Sequence, residues 1–244
     1  MPYKPMRKSV LVIPPGAPWV WDEVLQSLPA RWSPHVLAEA GYDVTIARYR
    51  ESYDKYPKNW RTGNPDLTSN GRKNLATLAA DVVIPKLQEL VAAGRGPAVI
   101  LAGSRGGQCT LPRLWKLGWR GGAVCVNAGC IIGVLPQGCR LTLVTGGKDF
   151  FAVSADPQKA RLMQRQDLLG PQGRDVPMLL YHDTVMGHTG CPDDFANHGH
   201  HMLLKEDLMR LIDLTSADVA SWCEQEKGSR IEGPWPGTAY LEVV

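Results

Sequence analysis

A serine stands between a short apolar run and a Gly-rich helical pattern. The apolar run covers residues 98–102, and Gly103, Ser104, Arg105, Gly106 and Gly107 follow it directly. A nucleophile on a sharp strand-to-helix turn needs small residues two positions before and two positions after it, because strand and helix approach closely there. Ala102 and Gly106 meet that requirement around Ser104. The pattern predicts a hydroxyl at a helix N-terminus, where backbone N–H groups can stabilise a developing oxyanion.

Other interpretations of this turn stay open. A Gly-rich turn between strand and helix can also cradle a phosphate, but neither GxGxxG nor GxxxxGK[ST] occurs here. A tight turn with a capping serine is the purely structural alternative. Cys109, about a turn and a half into the predicted helix, is a rival nucleophile that we expect to point away from the turn and to serve packing.

The segment around Ser104 resembles the nucleophile elbow of the α/β-hydrolase superfamily, with Ala102 in place of the more usual first glycine. The resemblance implies that an acid and a histidine follow in that order, each on a loop after a later strand. Asp149, three residues beyond Gly146, is implied as the acid, and His188, in a Gly-His-x-Gly turn, as the general base. The acid would hold the imidazole in the reacting tautomer, and the imidazole would take the serine proton and return it to the leaving group.

Other acids and histidines compete for these two roles. Asp156, in a helix-start context before a proline, is a weaker candidate acid, and His182 lies at the end of its own predicted strand. A polar segment further on contains residue types that can bind metals: Cys191, Asp193, Asp194, His198, His200 and His201. Their spacing matches no standard ligand pattern, so we expect no metal and no other cofactor.

The resemblance also implies an oxyanion hole made of two backbone N–H groups. Arg105 would donate one, and the loop after the first apolar run would donate the other. Three prolines in that loop have no N–H, which leaves Gly16 or Ala17 as the donor. The expected residues of the substrate pocket follow predicted strands at the same edge: Trp19, Trp21 and Asn127.

Apolar runs alternate with helical patterns along the chain, which is typical of an α/β fold, a mostly parallel sheet flanked by helices on both faces. The predicted strands cover 9–13, 43–49, 98–102, 122–127, 140–145 and 177–182. The predicted helices cover 34–40, 72–93 with a bend at Pro85, 106–117, 155–168, 202–214 and 217–226. We expect one domain over 1–244, an α/β-hydrolase-like three-layer sandwich with a long loop at 50–70 and a C-terminal tail at 228–244. Only twelve residues separate Asn127 from Arg140, so we expect no separate lid there.

Composition narrows the function classes. Lys and Arg number 27 against 24 Asp and Glu, a net charge of +3, which argues against a nucleic-acid partner. No apolar run approaches the roughly 20 residues of a membrane span, and the N-terminus lacks a signal-peptide pattern. The six cysteines include no CxxC pair, so we expect reduced thiols in a cytoplasmic protein, a monomer or homodimer.

These observations predict a serine hydrolase that cleaves a small ester, thioester or amide through an acyl-enzyme on Ser104. Its partner would be a small-molecule acyl substrate, and carboxylesterase or acyl-thioesterase activity is the first expectation. Because a fold does not fix a function, acyl transfer and a lyase or isomerase step remain alternatives. A non-catalytic ligand-binding protein on the same scaffold is a further alternative.

Overall fold

The computed structural model describes residues 8–13, 34–47, 79–127, 139–147, 178–186, 205–217, 229–233 and 235–243. Strands in these residues are β1 (Ser9–Ile13), β2 (Asp43–Ile46), β3 (Val99–Gly103), β4 (Gly122–Val126), β5 (Arg140–Gly146), β6 (Leu179–Asp183) and β7 (Ala239–Val243). Helices are α1 (Pro34–Glu39), α2 (Ile84–Ala92), α3 (Ser104–Lys116) and α4 (Lys205–Ser216), and a π-helical turn (Ala79–Val83) leads into α2. No helix in this part of the chain is both long and apolar enough to span a membrane.

The seven strands form one sheet in the order β2-β1-β3-β4-β5-β6-β7. Strands β1 to β6 are mutually parallel, and β7 pairs antiparallel with β6 at the edge. Gly103 of β3 lies opposite Val126 of β4, and Gly146 of β5 lies opposite Asp183 of β6. The carboxyl ends of the central strands therefore finish at nearly the same level. The predicted mostly parallel sheet is confirmed.

Each central strand is buried on both faces. In β1, Val10 and Val12 pack in a cluster with α1 and α4, whereas Leu11 and Ile13 pack in a second cluster with α2 and α3. We call these the α1–α4 face and the α2–α3 face of the sheet. Burying one such side chain contributes about 1.5–3 kcal/mol, so a strand with two apolar faces favours a helix layer on each side. The near-continuous apolar runs in the sequence reflect this arrangement.

Helix α1 ends where the sequence predicts. Gly41 has a φ of +94°, its N–H donates to the Ala38 carbonyl at 3.0 Å, and the N–H of Tyr42 donates to the Leu37 carbonyl at 2.9 Å. This pair of hydrogen bonds is the Schellman motif, which places a glycine in the left-handed region just after the helix. The reversal turns the chain from α1 into β2.

Pro85 interrupts the predicted helix over 72–93. The π-helical turn ends at Val83, and α2 then begins with Ile84 and Pro85 in its first two positions. Proline has no N–H for the preceding turn and is tolerated in the first turn of a helix. The change of helix type at this proline follows from that chemistry, while residues 72–78 lie outside the described residues.

The C-terminal part of the chain differs from the prediction of a tail over 228–244: Ala239–Val243 is a strand, β7, paired with β6. The predicted strand over 43–49 is shorter, ending at Ile46. The predicted helix over 155–168, the loop over 50–70 and residues 218–226 lie outside the described residues.

Strand β2 borders the sheet at the end opposite β7 within the described residues. Its first residue, Asp43, accepts two hydrogen bonds from the Arg95 guanidinium, at 3.0 and 2.6 Å. Arg95 follows α2, so this ion pair joins the end of α2 to the start of the outer strand. The strand is only partly buried along its length.

Replacing Gly41 by alanine tests the stop of α1. A Cβ at position 41 meets no atom within 4 Å, so the cost is conformational, about 1–2 kcal/mol for an L-residue in the left-handed region. We expect Gly41→Ala to lower the free energy of unfolding by that amount in urea titration. The matched control is Gly237→Ala, which also meets no atom within 4 Å and does not have a left-handed φ. An equal loss in both variants would contradict the left-handed stop.

Candidate functional site

The predicted site residues follow strand ends at one edge of the sheet. Ser104 begins α3 directly after β3, and Gly16 comes three residues after the end of β1. Asp149 comes three residues after the end of β5, and His188 five residues after the end of β6. Because these four strands are parallel, their following segments all leave from the carboxyl edge. Beyond the described residues lie these predicted site positions: Gly16, Ala17, Trp19, Trp21, Asp149 and His188.

The junction between β3 and α3 has no connecting loop. Gly103 is extended, with φ −104° and ψ 138°, and Ser104 is the first helical residue. Ala102 and Gly107 are buried on either side of the junction. Gly103 has no side chain to cap the helix, so the first N–H groups of α3 rely on other acceptors. The N-terminus of this 13-residue helix thus offers positive potential beside Ser104.

The strand order reverses beside that junction. From β1 the chain passes to β2 on one side, and from β2 it returns across β1 to β3 on the other side. Helix α1, between β1 and β2, and helix α3, after β3, pack on opposite faces of the sheet. In α/β sheets such a switch point is where ligands commonly bind, outside the carboxyl ends of the two strands. Ser104 follows β3 at this switch point.

Asn127 closes the carboxyl end of β4. Its side chain is only 1% exposed, and its φ of +47° lies in the left-handed region. Its backbone N–H donates to the Val144 carbonyl at 2.7 Å, and its Oδ1 accepts the N–H of Gly146 at 2.8 Å. Asn127 thus joins β4 to the end of β5, a contact that sequence reasoning missed. Its expected place in a substrate pocket stays a prediction.

The ends of β5 and β6 are also joined to each other. The N–H of Gly147 donates to the Asp183 carbonyl at 2.8 Å, and Asp183 Oδ1 accepts the N–H of Val185 at 3.0 Å. A Cβ at Gly147 would overlap the Thr184 backbone carbonyl. The turn that precedes Asp149 and the turn that precedes His188 therefore start from one hydrogen-bonded platform.

His182, the rival histidine, lies inside the sheet. Its ring is fully buried, with Nδ1 2.8 Å from Thr145 Oγ1 and the ring centroid 5.6 Å from that of Tyr240. A general base must reach the proton of a bound substrate or nucleophile. A fully buried ring suits that task poorly. His188 stays the predicted base, and it lies outside the described residues.

A buried polar pair on the α1–α4 face escaped the sequence analysis. The Tyr181 hydroxyl donates to Asp207 Oδ2 at 3.3 Å, and the two residues are 1% and 5% exposed. Burial raises the pKa of the Asp207 carboxyl above its ordinary value, and the negative charges of Glu206 and Asp183 raise it further, while the hydrogen bond from Tyr181 opposes the shift. A signal was present: Asp207 lies four residues before Leu211, on the apolar face of an amphipathic helix.

The described residues contain no group of three or more His, Cys, Asp or Glu side chains able to hold a metal ion. The segment with the clustered histidines, 191–201, lies outside them. A scan of the chain against known protein families gives no match, and a search of curated proteins gives none either.

Replacing Asp207 by asparagine tests the buried carboxyl. A raised pKa in the folded state means that the folded protein binds the proton more tightly than the unfolded chain. Stability therefore falls as the pH rises above the ordinary Asp value of 3.8. Asparagine keeps an oxygen for Tyr181 but does not ionise. We expect the Tm of Asp207→Asn minus the wild-type Tm to increase from pH 4 to pH 7.

The control for this titration is Glu39→Gln, which removes an exposed carboxylate from α1. It shows what the loss of an exposed carboxylate does to the Tm at each pH, and Asp207→Asn is compared with it. A Tm difference between Asp207→Asn and wild type that stays constant, or shrinks, as the pH rises would contradict the raised pKa of Asp207.

Proposed function

We propose that this protein is a serine hydrolase that cleaves a small ester, thioester or amide through a covalent acyl-enzyme on Ser104. The supporting observation is that β3 passes directly into α3 at Ser104, beside the switch point of a mostly parallel sheet. In this proposal the fold is an α/β-hydrolase-like three-layer sandwich. Asp149 and His188 complete the triad from the same edge.

The topology supports this triad. Strands β5 and β6 are parallel neighbours on the same side of β3, so the segments that carry Asp149 and His188 leave from the same edge of the sheet as Ser104. The platform between β5 and β6 starts the two segments side by side.

In the acylation step, Ser104 Oγ attacks the acyl carbon while His188 accepts the hydroxyl proton. The tetrahedral intermediate then expels an alcohol, thiol or amine, which takes that proton from His188. Water next attacks the acyl-enzyme with His188 again as base, and the acid product leaves with Ser104 regenerated. Asp149 orients the imidazole and stabilises its charged form throughout.

In this proposal the N-terminus of α3 stabilises the oxyanion of the tetrahedral intermediate. Arg105 follows Ser104 in the first helical turn, where N–H groups have no acceptor within the helix. Its N–H is our first oxyanion donor. Gly16 or Ala17 supplies the second, because the segment after β1 begins beside β3. Two preorganised donors of this kind lower the barrier most when water is excluded.

Substituting the serine tests the proposal. We expect the wild-type protein to be labelled by a fluorophosphonate probe and to hydrolyse p-nitrophenyl acetate. Ser104→Ala should abolish labelling and lower kcat by about a thousandfold or more, since removing a triad nucleophile leaves only binding and oxyanion stabilisation. Mass spectrometry of the labelled peptide identifies the modified residue.

The matched control is Cys109→Ala, in the helix that follows. It should keep the wild-type kcat and change mainly the Tm. The reverse pattern, with activity lost in Cys109→Ala and kept in Ser104→Ala, would refute Ser104 as nucleophile. Labelling of Ser104 without turnover across a panel of esters would favour acyl transfer or lyase chemistry instead.

A further inference from the structure

Asn127 holds a strained backbone at the candidate site. Among the described residues it is the one non-glycine with a positive φ, at +47°. Asparagine tolerates this region better than most residues, but glycine adopts it more readily. A left-handed residue persists where its surroundings enforce it, and such residues concentrate at functional sites. What the asparagine adds over glycine is its carboxamide.

The carboxamide of Asn127 takes the place of a backbone acceptor at the end of β4. Strand β4 ends at Val126, but one more N–H of β5, that of Gly146, still needs an acceptor on the β4 side. Asn127 Oδ1 accepts the N–H of Gly146 at 2.8 Å, in a buried position. The side chain thus extends the pairing between β4 and β5 by one hydrogen bond after the backbone of β4 has turned away. The last residue of β5 is held on this side by Asn127.

The other side of the same turn is held by β6. The N–H of Gly147 donates to the Asp183 carbonyl at 2.8 Å, and the Thr184 carbonyl leaves no space for a side chain at position 147. Gly146 and Gly147 are therefore fixed from both neighbouring strands. Asp149 follows two residues later, so the direction in which the chain leaves β5 decides where its carboxylate can lie.

We propose that Asn127 is a positioning residue for the acid of the triad. Its hydrogen bond to Gly146 fixes the exit of the chain from β5 and thereby aligns Asp149 with His188. This inference rests on the proposed function. Asn127 acts through Asp149 in this role.

The role has kinetic consequences that a purely structural role lacks. A misaligned carboxylate orients the imidazole poorly, which lowers kcat. It also stabilises the imidazolium less, which lowers the pKa of the base and moves the acid limb of the kcat/KM profile to lower pH. The readouts are therefore kcat and the pH profile; KM is left out of the test, because Asn127 is also an expected residue of the substrate pocket.

Asn127→Gly in the full chain is the test. Glycine accepts the left-handed backbone, so the substitution removes the carboxamide without adding strain. With p-nitrophenyl acetate we expect kcat to fall about 10- to 100-fold, the scale of a misplacement near 1 Å. The acid limb of the kcat/KM profile should move to lower pH. Asn127→Asp keeps an acceptor for the Gly146 N–H and should recover part of kcat.

The matched control is Thr142→Val on the same strand. Thr142 is buried about 13 Å from Gly146 along β5, and its Oγ1 forms a 2.7 Å hydrogen bond with Thr215 Oγ1. Losing this bond should lower the Tm and leave kcat and the pH profile unchanged. It therefore reports what a buried hydrogen bond lost from β5 does by itself.

The outcomes separate the two proposals. If wild-type protein shows no Ser104-dependent fluorophosphonate labelling, the proposed function fails and the positioning role falls with it. If wild type is labelled, three results overturn the positioning role alone: wild-type kcat in Asn127→Gly, a kcat loss shared by Thr142→Val, or no recovery in Asn127→Asp. Loss of kcat, a shifted acid limb and recovery by aspartate together support it.

Discussion

Burial of both faces of the sheet is the constraint on which the rest of this structure depends. A strand covered by helices on each side has no position where a charge can reach water, so β1, β3 and β4 are almost entirely apolar. Polar side chains that must meet a ligand can then stand only beyond the strand ends. Parallel pairing brings those ends to one edge, and the strand order reverses there between β1 and β3, beside Ser104. The burial of both faces of the sheet therefore also decides where polar side chains can meet a ligand.

The half of the sheet from β5 to β7 departs from that apolar pattern. Tyr181 with Asp207 on one face and Thr145 with His182 on the other are buried polar pairs. Each pair brings its own hydrogen bond, which offsets the cost of removing polar groups from water. These bonds need defined geometry and so restrict how β5, β6 and α4 can pack. The hydrogen-bonded platform at the ends of β5 and β6 belongs to this half of the sheet.

Local sequence patterns predict the buried strands well, because a strand covered on both faces is a short apolar run between turn residues. They also predict the stop of α1 at Gly41 and the position of Ser104 at a strand-to-helix junction. Strand β7 escaped because it mixes Glu242 with apolar residues after a Pro- and Gly-containing stretch, and its partner β6 lies far back in the chain. The bond from Asn127 to Gly146 escaped for a related reason: it depends on the register of β4 against β5, which neither segment encodes alone.

Among the described residues, β2 is an edge strand with features that disfavour pairing with a strand of another chain. A border strand carries unpaired backbone groups on one side, and a second chain can add its own strand there and begin a stack. Strand β2 is four residues long and begins with Asp43, whose carboxylate accepts two hydrogen bonds from Arg95. An incoming strand would meet both a short template and a fixed pair of charges that it would have to strip of water. Within the described residues, the ion pair at the end of α2 is therefore a feature that disfavours the addition of another strand beside β2.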